Sequence, residues 1–293
     1  MRDGAASRTA VLVCQGRAAA DGRLAPEVFR DPVAIALLRE DERVPVEAVR
    51  AGAPPKGWPE RMAYEMVRGS SEVALARSVA IDDAVRSRPS PQLVLLGAGL
   101  DDRAWRMPEL AAVDVFEVDH PASQRDKLDR LGDLVPVALS VRFAPVDLAH
   151  EPLDRALAEA GHRAEVATTW IWEGVVPYLT RPQVAATVKA VANRSAPGSR
   201  LIVNYQAPSA SAVFGRLAAR TAMRLARQPD VWASEPHRSA WTPATIGALL
   251  AEHGFTIVSD TDLLTVANGL GVPVAQPRSL RDGRVAVAGN SHR

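Results

Sequence analysis

Residues 93–107 read LVLLGAGLDDRAWRM, an apolar run that ends on Gly97-Ala98-Gly99 and continues into a segment with helical potential. An uninterrupted apolar run of this length fits a strand covered on both faces. Two glycines one residue apart let backbone approach a bound molecule closely, and the amides of a following helix start favour acceptor groups. The turn is therefore of the nucleotide-binding kind, the competing reading being a glycine turn that only connects two elements. A nicotinamide fingerprint would need a third glycine at position 102, where it lets helix pack on strand. Asp102 stands there, which argues against NAD.

Outward from this stretch the pattern repeats. LVLLG, VDVFEVD, VRFAPVD, AEVATTWIW and SRLIVNY are β-rich runs separated by ten or more residues with helical potential. Such alternation predicts right-handed βαβ crossovers and a mostly parallel sheet with helices on both faces. TPATIGALLAEHGF predicts a helix with Thr242 as N-cap, Pro243 in its first turn and Gly254 at its close, and FTIVSD and GRVAVAG finish the sheet. Residues 1–90 carry helical periodicity and no strong strand. Pro26, Pro32, Pro45, Pro54, Pro55 and Pro59 divide them into short pieces, and 70–85 predicts a helix capped by Ser70 or Ser71. The expected organisation is a helical cap over 1–90 and an α/β domain over 91–293. An insertion at 208–240, longer than an ordinary connection, reads as a lid over the site.

Charged residues at the predicted strand ends narrow the chemistry. Asp119 follows Gly97 by 22 residues, at the end of the second strand, where a carboxylate can accept both ribose hydroxyls; a helix N-cap is its alternative role. Asp147-Leu148 after the third strand could meet an adenine amino group and ring, although Asp is also an ordinary turn residue. Glu173 emerges from the apolar run TTWIW, and a buried carboxylate is costly unless it meets a cation or donors. The sulfonium and ammonium of S-adenosylmethionine would supply that charge; a pair with a helix arginine such as Arg77 would answer it equally.

The whole chain has 293 residues, 47% hydrophobic and 24% charged, which is the profile of a globular protein. A formal charge of +1 gives no basic footprint for nucleic acid. Cys14 is the single cysteine, so no intrachain disulfide can form, which suits a reducing cytoplasm. No apolar run approaches the span of a bilayer, and His150, His162, His253 and His292 lack metal-ligand spacing. The expectations are a cytoplasmic protein with no metal, no membrane partner and a small-molecule ligand.

Together GAGLDDRAWRM, FEVDHPASQRDK, WEGVVPYLT and the upstream ARSVAIDD resemble, in order, the leucine carboxyl methyltransferase family of S-adenosylmethionine-dependent methyltransferases, especially its bacterial members. The likeness runs from SRTAVLVCQGRAA onward. It implies a Rossmann-like class I methyltransferase sheet, mostly parallel with an antiparallel last strand, together with amino-terminal helices and a helical lid. It also implies cofactor roles: Arg77 at the carboxylate, Gly97 with Gly99 around the amino-acid portion, Asp119 at the ribose, Asp147 and Leu148 at the adenine, and Glu173 beside the methionine. Arg8 falls near a basic residue that lies over the cofactor in the family. Bacterial relatives point to O-methylation of small molecules, including carboxyl groups of polyketides.

A carboxylate acceptor needs no general base, whereas a phenol benefits from one. Base candidates are His120, Tyr178, Tyr205 and His237, of which Tyr178 and His237 are the candidate acceptor contacts. Arg216, Arg220, Arg224 and Arg227 form one helical stripe that reads as a solvated face or as a greeting surface for an anionic acceptor. Trp170, Trp172 and Trp241 read as core and lid packing. Two alternatives stand beside the methyltransferase: a protein that binds S-adenosylmethionine without methylating, and a nicotinamide oxidoreductase.

Overall fold

Alternation of side chains along the strands builds two hydrophobic layers on one sheet. The strands are β1 (Gln92–Leu96), β2 (Asp114–Asp119), β3 (Ser140–Pro145), β4 (Thr168–Trp172), β5 (Arg200–Gln206), β6 (Phe255–Asp262) and β7 (Gly283–Asn290). They come from a computed structural model that describes residues 7–148, 150–208, 237–275 and 277–290. Their spatial order is β3-β2-β1-β4-β5-β7-β6. The pairs β1–β2, β2–β3, β1–β4 and β4–β5 are parallel, and β7 runs antiparallel to both β5 and β6. A mostly parallel sheet with an antiparallel last strand is what the sequence implied.

Leu93, Leu95, Val115, Ile171 and Ile202 point to one layer, with Cys14, Ala76, Ile81 and Val85. Their neighbours Val94, Leu96, Phe116, Trp170, Trp172 and Leu201 point to the other, with Val184, Val188 and Val191 and with Ile246 and Leu250. Successive strand residues face opposite sides, so a sheet apolar at every position needs both faces covered.

The first layer is covered by α1 (Arg8–Ala20), α2 (Glu40–Ala51) and α3 (Trp58–Ser87). Two expectations fail here. First, α3 is one helix of 30 residues, so Ser70 and Ser71 lie in its interior and cap nothing. Tyr64, Val67, Ser71, Ala74, Leu75, Ser78, Ile81, Asp82 and Val85 form its buried stripe. Ser70 sits where α3 crosses α1: it donates to the Leu12 carbonyl at 3.1 Å, and a Cβ on Gly16 would come within 2.6 Å of Ser70 Oγ. Second, Pro45 does not break the chain; it lies inside α2, whose Val46 and Val49 are buried.

The β1–β2 crossover also differs from expectation. Its helical potential yields only α4 (Arg103–Arg106) and a 3-10 turn at Pro108–Leu110. The predicted late helix is observed over Pro243–Glu252, with Thr242 accepting from the Thr245 amide. Of the lid expected at 208–240, only Pro208 and residues 237–240 are described, and Arg216, Arg220, Arg224 and Arg227 lie outside the described residues. No helix among the described residues is long and apolar enough to cross a membrane.

One buried pair holds β2 to the helix that follows it, α5 (Pro121–Leu131). Lys127 Nζ lies 2.5 Å from Glu117 Oε2 and donates to the Asp101 carbonyl at 2.5 Å, with Glu117 fully buried. Burial pushes the Glu117 carboxyl up to about 7 against the pull of Lys127. Lys127→Met should destabilise the fold by about 3–5 kcal/mol, because it strands a buried carboxyl. A Glu117→Leu/Lys127→Met double substitution should recover most of that loss. Urea unfolding of the three proteins checks this; a double variant no more stable than Lys127→Met would show that the pair is not the cause.

Candidate functional site

The strand order reverses between β1 and β4, and a crevice opens beyond the carboxyl ends of the strands at that switch point. It is a cavity of about 430 Å³, within the range of small-ligand sites. Arg77, Gly97, Gly99, Asp119, Asp147, Leu148 and Glu173 all line it, as does Tyr178. Residues from four strand ends and from α3 are thus brought to one place. His237 is not among the lining residues: its ring meets Tyr178 edge-on, with centroids 5.3 Å apart.

The turn after β1 is held open by its glycines. Gly97 has φ +70°, and a Cβ there would fall 2.3 Å from Val175 Cγ2. Its amide and that of Ala98 donate to the Val118 carbonyl at 2.7 and 3.0 Å. Gly99, at φ +50°, donates to Asp119 Oδ2 at 2.5 Å, and the first turn of α1 roofs it at Ala10. Asp119 Oδ1 accepts from the His120 amide at 2.6 Å. The N-cap of α5 is His120, whose Nδ1 accepts from the Ala122 amide, so Asp119 is not the cap. Burial raises the Asp119 carboxyl above its ordinary range, opposed by the two amides.

Glu173 is answered by arginines. Arg77 Nε donates to Oε1 at 2.6 Å and Arg103 Nη1 to Oε2 at 2.8 Å, and the carboxyl is held well below its ordinary range although burial pushes it up. The pairing with Arg77 weighed from sequence is present, so the cost of burying Glu173 does not by itself require a positive ligand. The pairing continues through Arg17 and Asp101, which also line the cavity, to residues that do not. Arg103 also bonds Asp82 and Asp101; Arg106 bonds Asp82 and Asp102; Arg17 bonds Asp31 and Asp102. Asp102, 1% exposed, fills the position where a dinucleotide site would need glycine, and burial lifts it to about 6.

Sequence reading passed over Arg17, Asp82, Asp101 and Arg103. A local signal existed in the DDRAWR run, whose Asp102 and Arg106 are spaced for an i,i+4 pair. Beyond β3, Asp147 Oδ2 lies 2.8 Å from His150 Nδ1 at the surface. Leu148 packs on the second core layer. Arg238 also lines the cavity, with its amide donating to the Pro177 carbonyl at 2.7 Å. Among the described residues Arg238 has no carboxylate partner. No group of described His, Cys, Asp or Glu residues could hold a metal ion.

The donor set fits S-adenosylmethionine: a cradle that a Cβ would fill at Gly97, a carboxylate at the end of β2 that could accept ribose hydroxyls, and an Arg77 guanidinium in the cavity lining that bonds Glu173 through Nε alone. With the strand order, these features define a class I methyltransferase. The leucine carboxyl methyltransferase family model matches residues 10–192. A Mycobacterium tuberculosis protein named "Putative S-adenosyl-L-methionine-dependent methyltransferase" is 33% identical over 94% of this chain and 91% of its own length. A protein of the same name from Mycobacterium sp. strain JLS is 31% identical over 73% of this chain and 70% of its own. The solved mitomycin 7-O-methyltransferase shares the fold, with a TM-score of 0.50 at 14% identity over 89% of this chain and 76% of that one. The chain belongs to the leucine carboxyl methyltransferase family and is an S-adenosylmethionine-dependent methyltransferase.

Gly97→Ala should abolish detectable S-adenosylhomocysteine binding by calorimetry while the protein still folds, because the new methyl meets Val175 and the backbone needs a left-handed φ. Adding Val175→Ala should relieve the collision but leave the φ strain, so recovery should be partial. Undiminished binding in Gly97→Ala would show that the turn does not cradle the ligand.

Proposed function

We propose that the protein methylates an oxygen of a small acceptor, a carboxylate in first place, using S-adenosylmethionine held along the crevice. When bound, that cofactor supplies a methyl group on an electrophilic sulfonium. In this reading Asp119 accepts the ribose hydroxyls, Asp147 and Leu148 meet the adenine, Gly97 and Gly99 border the amino-acid portion, and Arg77, beside Glu173, takes its carboxylate. In-line displacement needs the acceptor oxygen near 3–3.5 Å from the methyl carbon and aligned with the breaking bond, so positioning does most of the catalytic work.

The observation that carries the choice of acceptor is Arg238. It is a cation on the crevice rim without a carboxylate partner among the described residues, and its backbone is pinned to Pro177. An anionic acceptor would pair with it, and a carboxylate is already ionised at neutral pH. Of the four base candidates, Tyr205 is committed elsewhere, its hydroxyl donating to Asp260 at 2.5 Å and pushed above its ordinary range by burial, while His120 lines the crevice with its Nδ1 capping α5. Tyr178 lines the crevice with the His237 ring against it, and in this reading the pair meets the acceptor. A natural product of polyketide type carrying a carboxyl group is an acceptor of the required kind.

Asp119→Asn should weaken S-adenosylhomocysteine binding by about tenfold or more, the worth of charge-assisted hydrogen bonds. Only the ionised carboxylate accepts from both ribose hydroxyls, so wild-type affinity should climb as pH rises through the elevated Asp119 titration. The Asn variant should lose that slope. For the acceptor, transfer of a radiolabelled methyl group should be seen with carboxylic acids and not with their esters. Arg238→Gln should raise KM for the acid and leave S-adenosylhomocysteine affinity unchanged. Labelling of phenols in preference to acids would remove the carboxylate assignment.

A further inference from the structure

Arg103 touches nothing in the crevice. It is 2% exposed and absent from the cavity lining, yet it bonds two residues that do line it. Its Nη1 donates to Glu173 Oε2 at 2.8 Å and to Asp101 Oδ2, while its amide donates to Asp101 Oδ1 at 2.9 Å. Its Nε is anchored at 2.7 Å on Asp82 Oδ1, in α3. Glu173 has one oxygen on Arg103 and the other on Arg77 Nε.

This arrangement fixes an orientation. A carboxylate bridged between two guanidiniums has little rotational freedom, since turning it would break one charge-assisted bond. Arg77 engages Glu173 through Nε, and among the described residues its Nη1 and Nη2 make no hydrogen bond. Those nitrogens are the pair that can form two parallel bonds to a carboxylate.

We propose that Arg103 is a positioning residue: by clamping Glu173 it holds Arg77 with its terminal nitrogens turned into the crevice, ready for the carboxylate of the cofactor's amino-acid portion. Glu173 is then a bracket for Arg77 as much as a contact of its own. The proposal rests on the reading of Arg77 given above.

The test compares two ligands. S-adenosylhomocysteine carries the amino-acid carboxylate; 5′-methylthioadenosine keeps the adenosine and thioether and lacks it. Calorimetric titrations of both into wild type, Arg77→Gln, Arg103→Lys, Arg103→Gln and the double Arg77→Gln/Arg103→Gln give the answer. Each Arg103 variant should lose about tenfold or more in S-adenosylhomocysteine affinity while 5′-methylthioadenosine binds as in wild type. The double variant should be no weaker than Arg77→Gln, because the two residues act on one contact. Lysine, which keeps the charge without the fork, should fall between wild type and glutamine. Equal loss of both ligands in the Arg103 variants, additive losses in the double variant, or failure of both Arg103 variants to fold would make Arg103 a structural residue and overturn the proposal. If Arg77→Gln itself fails to separate the two ligands, the assignment of Arg77 falls instead.

Discussion

Buried charge that must be answered within the protein is the constraint around which this structure is arranged. Arg17, Arg77, Arg103 and Arg106 interleave with Asp31, Asp82, Asp101, Asp102 and Glu173, and Arg17, Arg77, Asp101 and Glu173 of this web line the crevice. Each member is costly to bury alone, and removing one partner strands another. Four guanidiniums face five carboxylates, and burial lifts Asp102 to about 6 although Arg17 and Arg106 both pair with it. Such a web specifies relative placement more than it adds stability, since buried ion pairs repay their desolvation only when the geometry is complete.

The web also explains the long helical segment ahead of the sheet. Arg17 comes from α1, Asp31 from the loop after it, and Arg77 and Asp82 from α3, whereas Asp101, Asp102, Arg103 and Arg106 follow β1 and Glu173 follows β4. The crossover after β1 is too short to cover the sheet, with only one turn of helix at α4. The amino-terminal helices occupy that face instead, sharing a core with Leu93 and Leu95. The same helices that complete the hydrophobic layer therefore bring the guanidinium groups to the binding site.

What could be read in the sequence was local. The strand into Gly97-Ala98-Gly99, the acid 22 residues on and the capped helix at Thr242 are each set by a few neighbouring residues, and the structure has them. What escaped was set by distant partners. Arg77 and Glu173 are 96 residues apart and Arg103 and Glu173 are 70 apart, so no spacing rule joins them. Ser70 and Ser71 look like caps because small hydroxyl residues favour helix starts; the crossing with α1 gives Ser70 another use, and Ser71 bonds back to the Arg68 carbonyl of its own helix. Pro45 looks like a break, yet tertiary burial of Val46 and Val49 outweighs one missing amide bond. The contact between the His237 and Tyr178 rings likewise joins residues 59 apart, which no local pattern links.

The position of β7 has a consequence for how the sheet is assembled. Among the described strands it comes last in the chain but is not the outermost in space, since it lies between β5 and β6. During synthesis β6 emerges with its future neighbour still unmade, and β5 presents an open edge until residues 283–290 arrive. Open edges invite pairing with other chains. Vectorial production thus leaves this sheet unsealed until its final strand slides into the gap.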